Sequence, residues 1–548
     1  MTQSTSSRRG CDALLQALQT AGVQKIFTLS GNHIMPVFDA AYGAGMALIH
    51  TRHEAAAVHM ADAHARITGT VGIALVTGGP GHANAVSALY TAQMAEAPVV
   101  LLSGHAPNAQ LGKGAFQEMR QAEMAAPVCK AAWTCESADS VASDIAHAIS
   151  LARSGRPSPV HLSLPTDVLD NLVKTDAVPD ANAFEPTAMP LDTEVADRLL
   201  QALADARRPL VLAGPSCMTR PGRARLAALQ NAIGVPVVGM DSPRGIADPR
   251  LGAFAQMLAQ ADCIVLLGKR LDFTLKFGQA PAIAADAVLH QVDADESELD
   301  RSRHALGVRL KQTALADVGS ALDALMSRAS QSTLPKRDSA WLAEVDSVIA
   351  WRPPAWNTAM SKQPGRMHPV QMLKPLQALL DSHPDAVLIC DGGEIGQWAS
   401  ACLDAPHRLI NGVAGAIGSG LPCALAARCA VPDAPVVAVM GDGTVGFHIA
   451  EFDTAVRYGL PFVAVVGNDA RWNAEYQIQL RDYGAERLIG CELQPSRYHA
   501  VAEAFGGYGE QIEDAANMAD ACQRAHASAL PACLNVMIEG LAAPNIQR

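Results

Sequence analysis

Short apolar runs alternate with longer Ala-rich stretches along most of the chain. Runs of four or five apolar residues bounded by Gly, Pro or Asp are typical of buried strands, and the longer stretches are typical of crossover helices. This alternation predicts an α/β protein in which helices flank parallel sheets. The predicted strands are residues 25–29, 72–76, 99–103, 160–164, 210–213, 235–238, 263–267, 288–292, 387–390, 436–440, 462–466 and 534–538.

Two polar, Pro-containing stretches interrupt this pattern, at residues 174–190 and 331–369. Such stretches are typical of linkers. We therefore predict three domains, residues 1–173, 190–330 and 366–548, each built on a parallel sheet flanked by helices. Pro236 weakens the prediction of strand 235–238, because proline cannot donate a hydrogen bond to a sheet ladder.

Charge and composition exclude several classes of partner. The net charge is -12 and Lys/Arg runs are absent, which predicts no nucleic-acid partner. No segment reaches the roughly 18 unbroken apolar residues of a membrane span, and the polar start of the chain does not resemble a signal peptide. We therefore expect a cytoplasmic protein whose 12 cysteines, which include no Cys-x-x-Cys pair, are reduced thiols.

Polar residues follow two neighbouring predicted strands of the last domain. Strand 436–440 ends at Gly441-Asp442-Gly443, and strand 462–466 ends at Gly467-Asn468-Asp469. Because the carboxyl ends of parallel strands open at one edge, Asp442 and Asp469 can face a common site. Carboxylate oxygens suit Mg²⁺, and glycines let the backbone approach a phosphate. Taken alone, a Gly-Asp-Gly sequence is most often an ordinary turn. A helix is predicted from Ile449 onward.

The spacing of these two loops resembles the cofactor motif of enzymes that use thiamine diphosphate (ThDP). The resemblance implies that Asp442, Asp469 and the backbone carbonyl of Arg471 bind Mg²⁺. Asp469 departs from the usual Asn of that motif. It adds a negative charge beside the diphosphate, which puts the affinity for the cofactor in doubt.

The first domain contains a second part of this resemblance. The segment His53-Glu54-Ala55-Ala56-Ala57 is similar to the one that carries the activating glutamate of these enzymes, and the loop Gly79-Pro80-Gly81 is similar to the one beside the pyrimidine ring. Read alone, Glu54 would be a solvated residue at a helix start. The resemblance instead implies that Glu54 is catalytic. The implied cofactor-binding residues are Pro80, Asn84, Gly393, Glu394, Gly415, Ile417, Gly441, Asp442, Gly443, Thr444, Asp469, Arg471 and Trp472.

Within this superfamily, the motifs are most similar to those of benzaldehyde lyase. The matching stretches include residues 53–57, 441–457 and 468–474. This resemblance places active-site residues at His33 and Gln117. A histidine in a Gly-Asn-His loop is more often structural, but His33 follows the first predicted strand at a carboxyl edge, where ligands bind. We therefore predict a ThDP- and Mg²⁺-dependent lyase or carboligase that acts on 2-hydroxy ketones, aldehydes or 2-keto acids.

Three alternatives stay open. Residues 266–278 and 114–118 resemble 2-hydroxyacyl-CoA lyases and oxalyl-CoA decarboxylases, although only ten residues follow the last predicted strand, which leaves little for a tail that covers CoA. Residues 116–118 and the general plan resemble acetolactate synthases. A catalytically silent ThDP-binding protein is disfavoured by Glu54 and the two metal carboxylates. A site for FAD, CoA or ADP in the central domain stays undetermined.

The resemblance also implies an assembly. Glu54 and Asp442 belong to different predicted domains, and in these enzymes the two domains usually come from two subunits. We therefore expect a homodimer or homotetramer whose active sites are shared between subunits and bind a small-molecule substrate.

Overall fold

Three parallel sheets carry the fold, as the alternating pattern predicts. This computed structural model describes residues 8–174, 178–331 and 340–548. The chain divides into two compact units, residues 1–187 and 188–548. The first unit holds one sheet and the second holds two. Parts of both predicted linkers, residues 175–177 and 332–339, lie outside the described residues.

The first unit is a six-stranded parallel sheet in the order β2-β1-β3-β4-β6-β5. Its strands are β1 Lys25–Thr28, β2 Ala47–His50, β3 Gly72–Val76, β4 Val99–His105, β5 Ala131–Thr134 and β6 Val160–Pro165. Its helices are α1 Gly10–Thr20, α2 Met35–Ala41, α3 Glu54–Thr68, α4 Pro80–Met94, α5 Gln121–Ala125, α6 Val141–Arg153 and α7 Thr166–Asp170.

The second unit begins with a five-stranded parallel sheet in the order β11-β10-β9-β7-β8. Its strands are β7 Pro209–Ala213, β8 Val237–Gly239, β9 Cys263–Leu267, β10 Val288–Asp293 and β11 Leu310–Leu315. The helices of this part are α8 Thr193–Asp205, α9 Arg220–Ile233, α10 Phe254–Leu258, α11 Glu296–Leu306, α12 Val318–Gln331 and α13 Ala340–Ala350.

A six-stranded parallel sheet completes the second unit, in the order β13-β12-β14-β15-β17-β16. Its strands are β12 Val387–Cys390, β13 His407–Ile410, β14 Val436–Gly441, β15 Phe462–Asn468, β16 Tyr508–Ile512 and β17 Pro531–Met537. The helices of this part are α14 Pro369–Leu373, α15 Leu376–Leu380, α16 Glu394–Cys402, α17 Gly420–Ala430, α18 Asp442–Val445, α19 Glu451–Tyr458, α20 Asn473–Tyr483, α21 Tyr498–Ala504 and α22 Met518–Ala527.

The structure corrects several predicted elements. Strand 235–238 is displaced, because β8 begins after Pro236, and strand 534–538 begins earlier, at Pro531. The helix predicted from Ile449 is preceded by the short helix α18, which starts directly at Asp442. Five strands were not predicted at all, and each lies at the edge of its sheet: β2, β5, β11, β13 and β16. Within the described ranges, no helix is both long and apolar enough to cross a membrane.

Small residues allow helix α3 to pack closely against strand β3. Six of its residues are alanines, and the helix backbone at Ala61 lies so close to β3 that a Cβ added to Gly72 would be 2.0 Å from the Ala61 carbonyl oxygen. Only glycine at position 72 permits this approach. Since Glu54 is the first residue of α3, the same contact sets the distance of Glu54 from the sheet.

The Gly72→Ala substitution should therefore destabilise the protein by about 1–3 kcal/mol, because overpacking forces the backbone of α3 away from β3. Denaturant-induced unfolding measures this change. The matched control is Gly446→Ala, where the nearest atom to an added Cβ is 3.4 Å away. Equal stability of the two variants would show that the approach of α3 to β3 is not a constraint.

Candidate functional site

Two aspartates lie side by side at the carboxyl edge of the C-terminal sheet. Strands β14 and β15 are neighbours, with Gly441 paired to Gly467, so the residues that follow each strand emerge together. The Asp442 carboxylate accepts hydrogen bonds from the backbone N–H groups of Gly443, at 3.0 Å, and Arg471, at 3.2 Å. The second of these bonds ties the loop after β15 to the aspartate after β14.

Burial of these two carboxylates is costly in the absence of a cation. Asp442 is 2% exposed and Asp469 is 8% exposed. Desolvation raises the pKa of Asp442 to about 6. Desolvation, together with the nearby charge of Asp442, raises the pKa of Asp469 to about 7, while Arg471 and Arg366 oppose the increase. A divalent cation between the carboxylates would relieve both the desolvation cost and the mutual repulsion.

The ligand set also fits Mg²⁺. Across the described residues, no group of three His, Cys, Asp or Glu side chains is placed to hold a metal. A metal at Asp442 and Asp469 therefore needs further oxygen ligands, such as a backbone carbonyl or phosphate oxygens. Mg²⁺ characteristically combines one or two carboxylates with phosphate oxygens and water. The turn between the strand end and Arg471 is tight, since Ala470 has a φ of 59°.

A third aspartate, Asp391, organises the opposite side of this edge. It follows β12 and is buried, and its carboxylate accepts hydrogen bonds from the N–H groups of Gly392 at 2.7 Å, Gly418 at 3.1 Å and Gly420 at 2.5 Å. Burial raises the pKa of Asp391 to about 6. These bonds hold the loop that contains Gly415 and Ile417. Sequence reasoning missed Asp391, although an Asp-Gly-Gly sequence directly after a buried strand was a usable signal.

These strand ends surround a cavity of about 280 Å³. Trp472 packs closely against one wall, since a Cβ added to Gly443 would be 2.6 Å from its ring. Every cofactor-binding residue predicted in the C-terminal part lines this cavity: Gly393, Glu394, Gly415, Ile417, Gly441, Asp442, Gly443, Thr444, Asp469, Arg471 and Trp472. The structure therefore brings this part of the predicted set together.

The central part of the second unit supplies one further wall of the cavity. Pro243 and Arg244 line it, and the Arg244 guanidinium donates to the Glu394 carboxylate at 3.0 Å. The same Glu394 oxygen accepts from the N–H of Ala543 at 2.8 Å. Sequence reasoning did not identify Pro243 or Arg244, because they belong to no motif and lie more than a hundred positions from the residues they meet.

In the first unit, Glu54 lies at the edge of the parallel sheet where the carboxyl ends of the strands meet. It follows β2 as the first residue of α3, and it is 8% exposed. The Asn84 side-chain amide donates to its Oε2 at 3.0 Å. Its other oxygen, Oε1, faces the first turn of α4, since a Cβ added to Gly81 would be 3.3 Å from it. Pro80 is the first residue of α4.

His33 lies at the same edge, between the ends of β1 and β3. Its Nδ1 is 3.3 Å from the hydroxyl of Thr77, and its backbone N–H donates to the same hydroxyl at 3.4 Å. Burial lowers the pKa of His33, a hydrogen bond with the Phe116 backbone raises it, and the nearby His105 lowers it. The net result is a pKa below its ordinary value, which favours the neutral imidazole.

Gln117 packs against Gly79, in the loop that precedes α4. A Cβ added to Gly79 would be 2.7 Å from the Gln117 Cβ, and Gln117 itself has a left-handed φ of 57°. The Gly79 N–H donates to the side chain of Gln121 at 2.8 Å. A non-glycine residue held in this conformation is strained, and such strain is found mainly at functional sites. Thr77 and Gln121 are the organising residues that sequence reasoning missed here.

Three family models match parts of this chain. Residues 8–124 match the thiamine pyrophosphate enzyme N-terminal TPP binding domain, residues 196–325 match the central domain, and residues 391–536 match the C-terminal TPP binding domain. Thiamine pyrophosphate is another name for ThDP.

Relatives extend the similarity over nearly the whole chain. The chain is 31% identical to the 2-hydroxyacyl-CoA lyase 2 of Homo sapiens, over 92% of this chain and 85% of the relative. It is 30% identical to the acetolactate synthase large subunit IlvG of Mycobacterium tuberculosis, over 96% of this chain and 95% of the relative. With three matching domain models and relatives of this coverage, the chain belongs to the family of thiamine pyrophosphate enzymes.

Proposed function

We propose that this chain is a ThDP-dependent lyase that cleaves 2-hydroxyacyl-CoA between the thioester carbon and the hydroxyl-bearing carbon. The motif resemblance favoured a benzaldehyde lyase-like specificity, but the relatives reported above are named for 2-hydroxyacyl-CoA and acetolactate chemistry. The observation that supports a hydroxyl-bearing substrate is the buried His33, held by Thr77 at the edge where Glu54 lies.

The proposed reaction balances without an oxidant or reductant. The carbon–carbon bond next to the hydroxyl breaks, the hydroxyl-bearing carbon leaves as an aldehyde, and the thioester carbon gains a hydrogen and leaves as formyl-CoA. When bound, ThDP supplies the electron sink for the bonding pair. The protein has to remove the hydroxyl proton, return a proton to the thioester carbon and keep the reacting atoms in place.

His33 is suited to the first proton transfer. A base must be unprotonated at the working pH, and burial lowers the pKa of His33. Thr77 restrains the imidazole through its hydroxyl, so the ring is oriented before substrate arrives. The Gln117 side chain can hold a substrate oxygen without adding charge to the site. Both residues are thus assigned to the substrate.

Glu54 is assigned to the cofactor. Its Oε2 is occupied by the Asn84 amide, which leaves Oε1, on the Gly81 side, for a proton shared with a ring nitrogen of the aminopyrimidine. Asp442, Asp469 and the Arg471 carbonyl are assigned to a Mg²⁺ ion that anchors the diphosphate. The remaining cavity residues shape the space for the cofactor. A homodimer or homotetramer with shared active sites stays a prediction.

The function is tested by assaying protein reconstituted with ThDP and Mg²⁺ on a 2-hydroxyacyl-CoA, an acyloin and pyruvate. We expect aldehyde and formyl-CoA from the first substrate. His33→Ala should lower kcat/KM at least tenfold, about 1.4 kcal/mol of transition-state stabilisation, because the hydroxyl proton loses its acceptor. Gln117→Ala should act in the same direction.

A matched control is His304→Ala, which removes an exposed histidine of α11 far along the chain from both sites. If pyruvate were the only one of the three substrates consumed, with acetolactate as the product, the protein would be a synthase and not a lyase. Normal turnover of 2-hydroxyacyl-CoA by His33→Ala would remove His33 from the mechanism.

Substitutions of Thr77 test how His33 is oriented. Thr77→Val keeps the shape but loses the hydroxyl, and should lower kcat/KM about fivefold, the usual value of one hydrogen bond. Thr77→Ser keeps the hydroxyl and should retain most of the activity. If the shape of Thr77 were all that mattered, the valine variant would be the more active of the two.

The pH profile of kcat/KM tests the protonation state of His33. Because burial lowers its pKa below the ordinary value of 6.5, the acid limb of kcat/KM should have its midpoint below pH 6.5. Activity should decline on this limb as the imidazolium forms, and His33→Ala should abolish it. A midpoint above pH 6.5 would contradict the assignment.

A further inference from the structure

We propose that Asp469 lets the protein bind its divalent cation before the diphosphate arrives, so that the metal loads first and ThDP second. This inference rests on the proposed metal role of Asp442 and Asp469. It concerns the order of assembly, which neither the matched family nor the names of the relatives specify.

Asp469 gives the protein a second negative charge at the proposed metal site. Mg²⁺ sheds water reluctantly and is usually held by one or two carboxylates together with phosphate oxygens. Affinity for a divalent ion rises with the number of ligand charges, so two carboxylates hold the ion more tightly than one before the diphosphate completes the site. Here β14 and β15 present two carboxylates at adjacent strand ends, since Asp442 and Asp469 directly follow the paired strands.

Both carboxylates are removed from water, since Asp442 and Asp469 are 2% and 8% exposed. Electrostatic attraction to a cation is stronger where solvent is excluded, and affinity for divalent ions rises with the number of ligand charges. The two carboxylates, when both are ionised, also repel a diphosphate. ThDP should therefore bind weakly until the cation has neutralised the pair.

The competing explanation is that nearby arginines already neutralise Asp469. Arg366 donates to the backbone carbonyl of Ile538 at 2.7 Å, and the Arg471 guanidinium lies over the ring of Tyr476 at 4.0 Å. Within residues 340–548, no ion pair joins either arginine to Asp469. Both arginines are close enough to favour the charged form of Asp469, but neither forms an ion pair with it within these residues, so its carboxylate is not held by an arginine.

In the experiment, cofactor-free protein is titrated with Mn²⁺, and electron paramagnetic resonance measures the concentration of free Mn²⁺. The titration is done once without ThDP and once with saturating ThDP. Wild type should bind one Mn²⁺ per chain without ThDP. The isosteric Asp469→Asn variant should bind it at least tenfold more weakly without ThDP and regain tight binding when ThDP is present. Calorimetry should show that metal-free Asp469→Asn binds ThDP more tightly than metal-free wild type.

Three further variants make the result interpretable. Asp482→Asn removes an exposed carboxylate paired with Arg481 and should leave the Mn²⁺ titration unchanged. Thermal melting establishes that Asp469→Asn is folded, and Asp469→Ser provides a second neutral variant if it is not. Asp442→Asn should lose Mn²⁺ binding both with and without ThDP.

The outcomes separate this inference from the proposed function. Equal Mn²⁺ affinity of wild type and Asp469→Asn without ThDP would overturn the inference, and so would binding by wild type only when ThDP is present. Both of those results leave the metal assignment intact. Absence of Mn²⁺ binding by wild type even with ThDP would overturn the inference together with the assignment of Asp442 and Asp469 to the metal.

Discussion

The parallel pairing of β14 with β15 is the constraint on which the C-terminal site depends. It places Asp442 and Asp469 next to each other in a region closed to solvent, where two like charges are unfavourable. A sequence selected only for stability would not keep this pair. The hydrogen bonds that hold Asp391 and the Gly418 loop across the same edge build a cavity around the aspartates. This arrangement supports the proposal that the cavity holds a cation together with an anionic ligand.

The first unit uses the same kind of parallel sheet to position a different pair of side chains. Its strand ends bring Glu54 and His33 to one edge, but at separate loops. Thr77 packs between the His33 loop and the start of α4, because its hydroxyl lies 3.3 Å from His33 Nδ1 and its methyl group packs where a Cβ on Gly31 or Gly81 would lie. The glycines are therefore required by close packing around Thr77. Thr77 thus positions His33, whereas the Asn84 hydrogen bond and the close approach of α3 to β3 position Glu54.

Much of this fold could be predicted from sequence, and the failures have a common physical origin. Buried central strands such as β3, β9 and β12 were predicted with correct bounds, because both of their faces are covered and their sequences are continuously apolar. All of the strands that were missed lie at sheet edges, where β5 and β11, for example, are only partly buried and mix polar with apolar residues. The candidate cofactor residues were predictable because they belong to local motifs. Thr77 and Arg244 were not, since their importance comes from contacts between distant segments, whereas Asp391 was missed although its Asp-Gly-Gly sequence directly follows a buried strand.

The most direct test of this account is the exchange rate of the C2 hydrogen of bound ThDP, followed by NMR in deuterated water. If Glu54 shares its proton with the aminopyrimidine, Glu54→Gln should slow the exchange by roughly 10²–10⁴-fold, the usual contribution of a positioned acid–base group. The exposed residue Glu123, changed to Gln in the same way, should leave the rate unaffected. An exchange rate in Glu54→Gln equal to that of wild type, with ThDP still bound, would contradict the account.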